Sequence, residues 1–163
     1  MRGLPGDISL TLVGPELCDV VARLAPLPGQ ERFAGRPADA LAAAEADPGR
    51  RPVAIVEDGA PVGFFVLHHG TSAGELAPDE RDVLLRNFFV DAAAQGRGVA
   101  SRALAALPAF VRAHRPGARR VVLTVNVRNP RAIRTYRAAG FVDTGELYLG
   151  GARGPQHVFV LAL

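Results

Sequence analysis

Lysine is absent from this 163-residue sequence, and all 19 basic residues are arginines. The absence excludes a phosphate loop of the Walker type, a Schiff-base lysine and a lysine general base. The arginines are scattered along the chain, and with 16 acidic residues they leave a net charge of only +3. Since there is no basic block, the sequence does not indicate a nucleic-acid partner.

Cysteine occurs once, as Cys18, which excludes an intrachain disulfide and a CxxC metal site. We expect Cys18 to be a small buried residue of the first helix, and we expect no metal. No apolar run reaches the roughly 18 residues that suggest a membrane-spanning helix. The N-terminus has no charged-then-apolar signal pattern. The sequence therefore predicts a cytoplasmic protein without a membrane partner.

The pattern of apolar residues predicts one mixed α/β domain over residues 1–163, with about seven strands and four helices around a single sheet. Asp58-Gly59 favours a tight hairpin turn between strands at 53–57 and 62–68. The segments 26–37 and 70–79 read as loops. The segment 83–90 is apolar nearly throughout, so this strand is expected near the centre of the sheet.

The stretch QGRGVA (95–100) connects that strand to a helical pattern that begins near residue 99. Gly96 and Gly98 lack a Cβ where a ligand could approach the main chain. The helix start offers unpaired N–H groups at the positive end of the helix dipole, which suit an anion such as a phosphate. The alternative is a tight turn in which the glycines only relieve strain. Pro108 predicts a kink or break further along, near Leu104–Leu107.

A second motif, NPRAIRTYRAAGF (129–141), has the residues that begin and end a helix. Asn129 is a good N-cap, and Pro130 suits the first helical position. Gly140 suits the left-handed position after the helix, where Phe141 could pack against Tyr136. Asn129 and Tyr136 therefore each have a purely structural interpretation as well as a functional one.

Together the two motifs resemble those of the GCN5-related N-acetyltransferase (GNAT) superfamily. The acetyl-CoA motif of that family, [QR]-x-x-G-x-[GA], corresponds to residues 95–100, and its Asn, Ala, aromatic and Gly-Phe pattern corresponds to Asn129, Ala132, Tyr136 and Gly140-Phe141. The match is firm from about 83 to 149, and the order of elements extends it over the chain. The resemblance implies the GNAT-like acyl-CoA N-acyltransferase fold. A Rossmann interpretation fits less well because GRGVAS lacks the third glycine of GxGxxG.

The resemblance also implies an enzyme that transfers an acetyl group from acetyl-CoA directly to a primary amine of a small molecule or peptide. In that family the strands corresponding to 83–90 and 121–127 splay apart, and the pantetheine arm pairs with the first of them. The Val90 amide would then polarise the thioester carbonyl, and the amides of the glycine turn would bind the pyrophosphate. The cofactor-binding residues implied in this way are Phe89, Val90, Gln95, Gly96, Arg97, Gly98, Val99, Ala100 and Asn129.

Tyr136 corresponds to the general acid of the family. A phenol has a pKa of about 10 and a thiol one of about 8.5, so the phenol is protonated at neutral pH and could donate to the departing thiolate. Direct transfer needs no protein nucleophile, and Cys18 is then not required.

The general base stays open at this stage, since members of the family use either a carboxylate on the corresponding strand or a chain of water molecules. Asn87 lies in mid-strand and cannot accept a proton. Asp91 lies at the end of that strand, where it is either a base or only a cap of the turn. The other candidates are Glu57, His68, His69, Glu146 and His157. No one of them is preferred.

The acceptor site is expected between the loops at 26–37 and 149–156, with Tyr148 either lining it or packing. Arg32, Arg36 and Arg153 could favour an anionic acceptor, although surface arginines are the ordinary case here. The alternative function is a non-catalytic acyl-CoA-binding or regulatory module on the same fold; a nucleotide-binding protein is a weaker third. The family resemblance leaves a homodimer open, with the strand HVFVLAL as a pairing edge.

Overall fold

The computed structural model of the protein describes residues 6–163 and places seven strands in one mixed sheet. The strands are β1 (Ile8–Leu12), β2 (Arg50–Glu57), β3 (Ala60–His68), β4 (Asp82–Val90), β5 (Arg120–Asn126), β6 (Val142–Tyr148) and β7 (Gln156–Ala162). Their spatial order is β1-β2-β3-β4-β5-β7-β6, and every neighbouring pair is antiparallel except β4 and β5. The predicted mixed α/β fold is confirmed, with β4 fourth of seven.

Five α-helices accompany the sheet within the described residues, one more than predicted. They are α1 (Pro15–Ala22), α2 (Glu31–Ala34), α3 (Pro37–Ala46), α4 (Val99–His114) and α5 (Pro130–Ala138). The additional helix, α2, lies in a segment predicted to be a loop. A helix of four residues is a single turn, too short to produce a hydrophobic periodicity. For the same reason the 3₁₀ segment Thr71–Leu76, in the other predicted loop, had no recognisable pattern.

The hairpin between β2 and β3 follows the prediction. Asp58 and Gly59 have φ angles of 49° and 84°, both in the left-handed region. Two such residues in succession match the right-handed twist of the flanking strands, which is why Asp-Gly is favoured there.

Helices cover both faces of the sheet. On one face α4 buries Leu104, Leu107 and Val111 in a core that includes Phe65 and Val121. On the other face α1 and the two helices after it cover a smaller core, whose members include Val21, Ala40, Ala54, Phe64 and Val66. Within residues 6–163, no helix combines the length and the apolar character that crossing a membrane requires.

Pro108 does not interrupt α4, which runs unbroken from Val99 to His114, so the predicted break is wrong. A proline inside a helix costs about 3 kcal/mol. The segment around Pro108 buries Leu104, Leu107 and Val111 almost completely. Burying one such side chain contributes about 1.5–3 kcal/mol, so the packed face outweighs the proline.

The C-terminal strand β7 is not a free edge. It pairs with β5 along one side and with β6 along the other, so the prediction that 157–163 offers a pairing edge is wrong. The edges of the sheet are β1 and β6. Strand order follows from long-range pairing, which the alternation of residues within one strand does not encode.

Candidate active site

The parallel strands β4 and β5 pair only at their beginnings and then separate. Asp82, Val83 and Leu84 pair with residues 120–122, and no later pair is formed. A cleft of about 750 Å³ lies along the separated halves, lined by residues 84–90 of β4 and 123–126 of β5. The splay expected between these strands is therefore present.

A bulge in β4 accompanies this separation. Asn87 has a φ angle of 56°, and the register between β3 and β4 shifts beside it. Its side chain donates a hydrogen bond of 2.8 Å to the carbonyl of Ala34, at the end of α2. Asn87 thus fastens α2 to the edge of the cleft. Sequence reasoning excluded Asn87 as a base but did not identify the bulge.

Val90, three residues after the bulge on β4, directs its main-chain N–H and C=O groups away from β3 and into the cleft. The Asp91 amide donates to the Val62 carbonyl of β3, and successive residues of an antiparallel strand present these groups to opposite sides. Phe89, which pairs with Phe64, therefore presents its groups to β3. The Val90 carbonyl accepts a hydrogen bond of 2.9 Å from Gln95 Nε2, while its amide is directed toward the open side.

Gln95 also connects the glycine turn to the loop before α2. Its Nε2 donates to Gln30 Oε1 at 2.8 Å, and Gln30 Nε2 lies 3.4 Å from Gln95 Oε1. The side chain of Gln95 thus joins β4, the glycine turn and this loop.

The glycine turn ends at the N-terminus of α4. Gly96 and Gly98 have φ angles of 79° and 74°, and Gly98 is the N-cap residue. No side chain caps this helix, and the amides of Val99, Ala100 and Ser101 have no acceptor within residues 6–163. All three residues line the cleft. Three open amides at a helix start form an anion site.

A cluster of ion pairs outside the cleft stabilises the glycine turn. Glu57 has a side chain only 7% exposed, and its two oxygens lie 2.9 Å from Arg97 Nη1 and 3.0 Å from Arg102 Nη2. Arg102 also donates to the carbonyls of Arg97 and Gly6. Of the residues in the glycine motif, Arg97 alone does not line the cleft. Its side chain anchors the turn to β2.

Tyr136 and Asn129 reach the cleft from α5. The Tyr136 ring packs edge-on against Phe88 and Phe141, with centroid distances of 6.0 Å and 5.8 Å. Burial raises the pKa of the Tyr136 phenol well above its usual value. The phenol has no hydrogen-bond partner among the described residues. Asn129 Oδ1 accepts from the Ala132 amide at 3.3 Å, so its capping role is present and its Nδ2 remains available.

None of the carboxylates and histidines first considered as the base lines the cleft. Asp91 Oδ1 accepts from the Ala25 amide at 2.9 Å and holds the loop after α1. Glu57 is engaged by two arginines. His68 is completely buried, with Nε2 at 2.9 Å from Ser72 Oγ. These contacts give the three side chains structural roles.

The remaining three candidates also lie outside the cleft. His69 borders a separate small cavity beside Arg51 and His114. Glu146 is exposed on β6. His157 Nδ1 lies 3.7 Å from Asp143 Oδ2. Cys18, in α1, is partly buried and does not line the cleft. Among the described residues, no group of His, Cys, Asp and Glu has the arrangement of a metal site.

Three charged residues of the cleft were missed by sequence reasoning: Glu75, Arg86 and Arg131, the last of which lies near the start of α5. Glu75, in the 3₁₀ segment 71–76, is the one carboxylate among the described residues that line the cleft, and Arg86 lies on β4 just before the bulge. Arg32 and Arg153 line the cleft as expected of their loops, whereas Arg36 pairs with Asp39 on the surface. Tyr148 both lines the cleft and packs against a small apolar cluster that includes Leu84 and Val122. No local signal identifies Glu75 or Arg86, because their position depends on the packing of distant segments.

Comparison with known proteins gives consistent matches. The family model described as acetyltransferase (GNAT) family matches residues 19–141. The uncharacterized N-acetyltransferase YbbJ of Bacillus subtilis (strain 168) is 35% identical over 147 residues, which cover 88% of this chain and 91% of that protein.

Solved structures show the same fold. An acetyltransferase from Thermus thermophilus superposes with a TM-score of 0.68 at 25% identity, and the match covers 100% of both chains. The aminoglycoside acetyltransferase AAC(6')-Ib, in a complex with coenzyme A and kanamycin, gives a TM-score of 0.78 at 16% identity. That match covers 96% of this chain and 95% of the other.

Proposed function

This chain belongs to the acetyltransferase (GNAT) family, and we propose that it uses acetyl-CoA to acetylate a primary amine of a small molecule in a direct transfer. The observation that carries the proposal is the cleft between β4 and β5, which joins the open amides of α4 to Tyr136. Acetyl-CoA supplies the activated acetyl group, and the chain must position it, exclude water and move protons.

The residues present fit coenzyme A. The amides of Val99, Ala100 and Ser101 suit a pyrophosphate, because their hydrogens are unpaired and lie at the positive end of the helix dipole. Gly98 adopts a left-handed φ, and a Cβ there would project into open space rather than into protein. The turn therefore leaves room for a ligand against the main chain, and Asn129 Nδ2 is free to donate to it.

Val90 is the residue of β4 that we propose for the thioester. Its amide is directed into the cleft, while Gln95 satisfies its carbonyl. A donor fixed in this way is preorganised for the charge that develops on the thioester oxygen. We do not extend this role to Phe89, since its pairing with Phe64 assigns its main-chain groups to β3.

Tyr136 is proposed to donate the proton that the departing thiolate needs. Its phenol faces the cleft without a protein partner, and burial holds its pKa above the usual value, so it stays protonated at neutral pH. Phe88 and Phe141 fix the ring on either side. The ring is thereby oriented before substrate binds.

Glu75 is proposed to take the proton that the acceptor ammonium releases. An ammonium with a pKa of about 10.4 is neutral in only about one molecule per thousand at pH 7, which costs about 4–5 kcal/mol. Of the described residues that line the cleft, no histidine and no other carboxylate is available for this step. Glu75 follows Gly74, whose φ of 75° kinks the 3₁₀ segment, and both residues line the cleft.

The test is an amine screen with detection of free CoA, run on the wild type and on Glu75→Gln. Amine-dependent CoA release supports the enzyme, and its absence in a protein that binds acetyl-CoA supports a non-catalytic binding module instead. The substitution is expected to lower kcat by at least about a hundredfold, the lower end for a positioned base, with the KM for acetyl-CoA unchanged. Glu45→Gln, an exposed change on α3, is the matched control. An unaltered kcat in Glu75→Gln removes Glu75 from the mechanism.

A further inference from the structure

The residues that line the cleft carry an excess of positive charge. Four arginines line it, Arg32, Arg86, Arg131 and Arg153, against the single carboxylate of Glu75. None of the four forms an ion pair within residues 6–163, whereas eight arginines elsewhere do. Surface arginines without partners are ordinary, but four that face one cavity require an explanation.

Arg86 is the best placed of the four. It lies on β4, and its Nη1 is 3.3 Å from His68 Nδ1. A guanidinium can only donate, so His68 Nδ1 accepts and its Nε2 carries the hydrogen. That nitrogen is 2.9 Å from Ser72 Oγ and 3.3 Å from Asp47 Oδ2. Arg86 is thus held in position by a histidine rather than by a carboxylate.

His68 does not neutralise this arginine. It is completely buried, and burial, followed by the nearby arginines Arg50 and Arg86, lowers its pKa below the usual histidine value. The imidazole is therefore neutral at neutral pH. Burial also lowers the pKa of Arg86, but a guanidinium remains charged in proteins. Arg86 is therefore a cation held by His68, exposed to solvent and without a counter-ion among the described residues.

Arg153 lines the same cleft from the loop between β6 and β7. That loop is fastened by a hydrogen bond of 2.8 Å from Asn126 Nδ2 to the Arg153 carbonyl. Asn126 is buried at the end of β5. This loop therefore borders the separated ends of the two strands, with Arg86 across the cleft on β4.

We propose that the acceptor is a small amine that also carries a carboxylate or phosphate, and that Arg86 binds this anionic group. Guanidinium recognises both groups through paired, charge-assisted hydrogen bonds. Val90 lies four positions after Arg86 on β4, at most about 13 Å of extended chain, so the anion and the reacting amine belong to one small molecule. The proposal rests on the proposed function, since it names the acceptor class of that reaction.

The experiment compares matched acceptors that differ in the anionic group. One pair is an amino acid and its carboxamide, a second is phosphoethanolamine and ethanolamine, and spermidine represents polycations. The amine of a carboxamide is less basic than that of the free acid, so basicity alone would favour the carboxamide. We expect kcat/KM to be higher for an anionic member by about tenfold or more, the scale of one charge-assisted hydrogen bond. The two pairs separate a carboxylate acceptor from a phosphate one.

Variants test whether Arg86 is responsible. Arg86→Gln should abolish the preference by raising the KM for the anionic acceptor, with acetyl-CoA affinity unchanged, and Arg86→Lys should restore part of it. Arg112→Gln, an exposed change on α4 outside the cleft, is the control. A preference that survives Arg86→Gln, or wild-type enzyme that prefers the uncharged member or spermidine, overturns the proposal.

Binding of the same compounds is measured by saturation-transfer NMR, which needs no turnover. If no amine is acetylated but the acid binds and Arg86→Gln abolishes that binding, the anion subsite stands and the proposed reaction fails. If the acid binds no better than the carboxamide, the subsite fails whatever the outcome for catalysis.

Discussion

The side-chain amide of Gln95 donates a hydrogen bond of 2.9 Å to the main-chain carbonyl of Val90. This bond closes the turn between β4 and α4 and satisfies the carbonyl at the point where the two parallel strands have separated. The Val90 amide is then the main-chain group that remains for a ligand. The same Gln95 nitrogen donates to Gln30, so the loop before α2 depends on it as well.

Gln95→Ala is expected to weaken acetyl-CoA binding by several-fold and to lower the free energy of unfolding by about 1 kcal/mol, the usual value of one hydrogen bond. Calorimetric titration and urea unfolding measure the two effects. Gln30→Ala is the matched control, because it removes the contact with the loop and leaves the bond to Val90. Equal acetyl-CoA affinities in Gln95→Ala and the wild type would show that this bond does not shape the site.

Tyr136→Phe should lower kcat by at least about a hundredfold, since a positioned acid contributes about 10²–10⁴. The ring keeps its packing against Phe88 and Phe141, so acetyl-CoA affinity should change little. Because the pKa of the phenol is raised, the wild-type rate should show no loss from Tyr136 ionisation as the pH rises to about 10. Tyr148→Phe is the control for loss of a cleft hydroxyl. Full activity in Tyr136→Phe would exclude the acid role.

Glu57→Gln should destabilise the protein by about 1–3 kcal/mol. The carboxylate is 7% exposed and holds Arg97 and Arg102, and the substitution removes the charge partner of both arginines and leaves a buried neutral amide in its place. We set the value below that of a fully buried pair because both arginines reach solvent. Asp39→Asn breaks the exposed pair with Arg36 and should change stability by less than about 0.5 kcal/mol. Urea unfolding of the two variants compares them, and equal stabilities would contradict the structural role of Glu57.

Acid should destabilise the fold through Asp82, whose side chain is completely buried beside Arg119 and Arg120. Burial alone would raise the pKa of Asp82, but the hydrogen bonds from Arg120 and Arg119 outweigh it and lower that pKa. The neighbouring Asp79 has its pKa lowered to about 2 by its hydrogen bond with Arg81. A carboxylate with a depressed folded pKa stabilises the protein above its unfolded pKa, and this contribution is lost as the pH falls. The urea midpoint should therefore drop between about pH 5 and pH 2.

Asp82→Asn isolates that contribution. The variant should be less stable than the wild type at pH 7, and its urea midpoint should fall less steeply on acidification. If the urea midpoint of Asp82→Asn falls with pH as steeply as that of the wild type, the acid sensitivity arises from other groups.

Local sequence was sufficient to predict the structure of short segments whose conformation depends on their own residues. The caps of α5, the Asp58-Gly59 turn and the glycine turn at 95–100 follow from residue conformational preferences, and each was located before the fold was known. The position of β7 inside the sheet was not accessible in this way, because strand order depends on which distant segments pair. The bulge at Asn87 was also missed, since an asparagine in an apolar run gives no sign of a register shift.

The cleft charges were missed for a related reason. No local signal marks Arg86, and its relationship to His68 appears only when β3 and β4 are paired. Glu75 lies in a segment without periodicity, and only its packing brings it to the cleft. The two motifs therefore predicted the glycine turn and the start of α5, while Glu75 and Arg86 could be placed in the cleft only by the three-dimensional structure.

Titration of acetyl-CoA into the wild type and Gly98→Glu by calorimetry tests the central claim, that the glycine turn and α4 form the cofactor site. Gly59→Glu is the matched control: both glycines have left-handed φ angles, 74° and 84°, and open space around the position of a Cβ, but Gly59 lies in the β2–β3 hairpin. We expect micromolar binding by the wild type and by Gly59→Glu, and none by Gly98→Glu. Absence of binding to the folded wild type, or equal binding by the two variants, would contradict this claim.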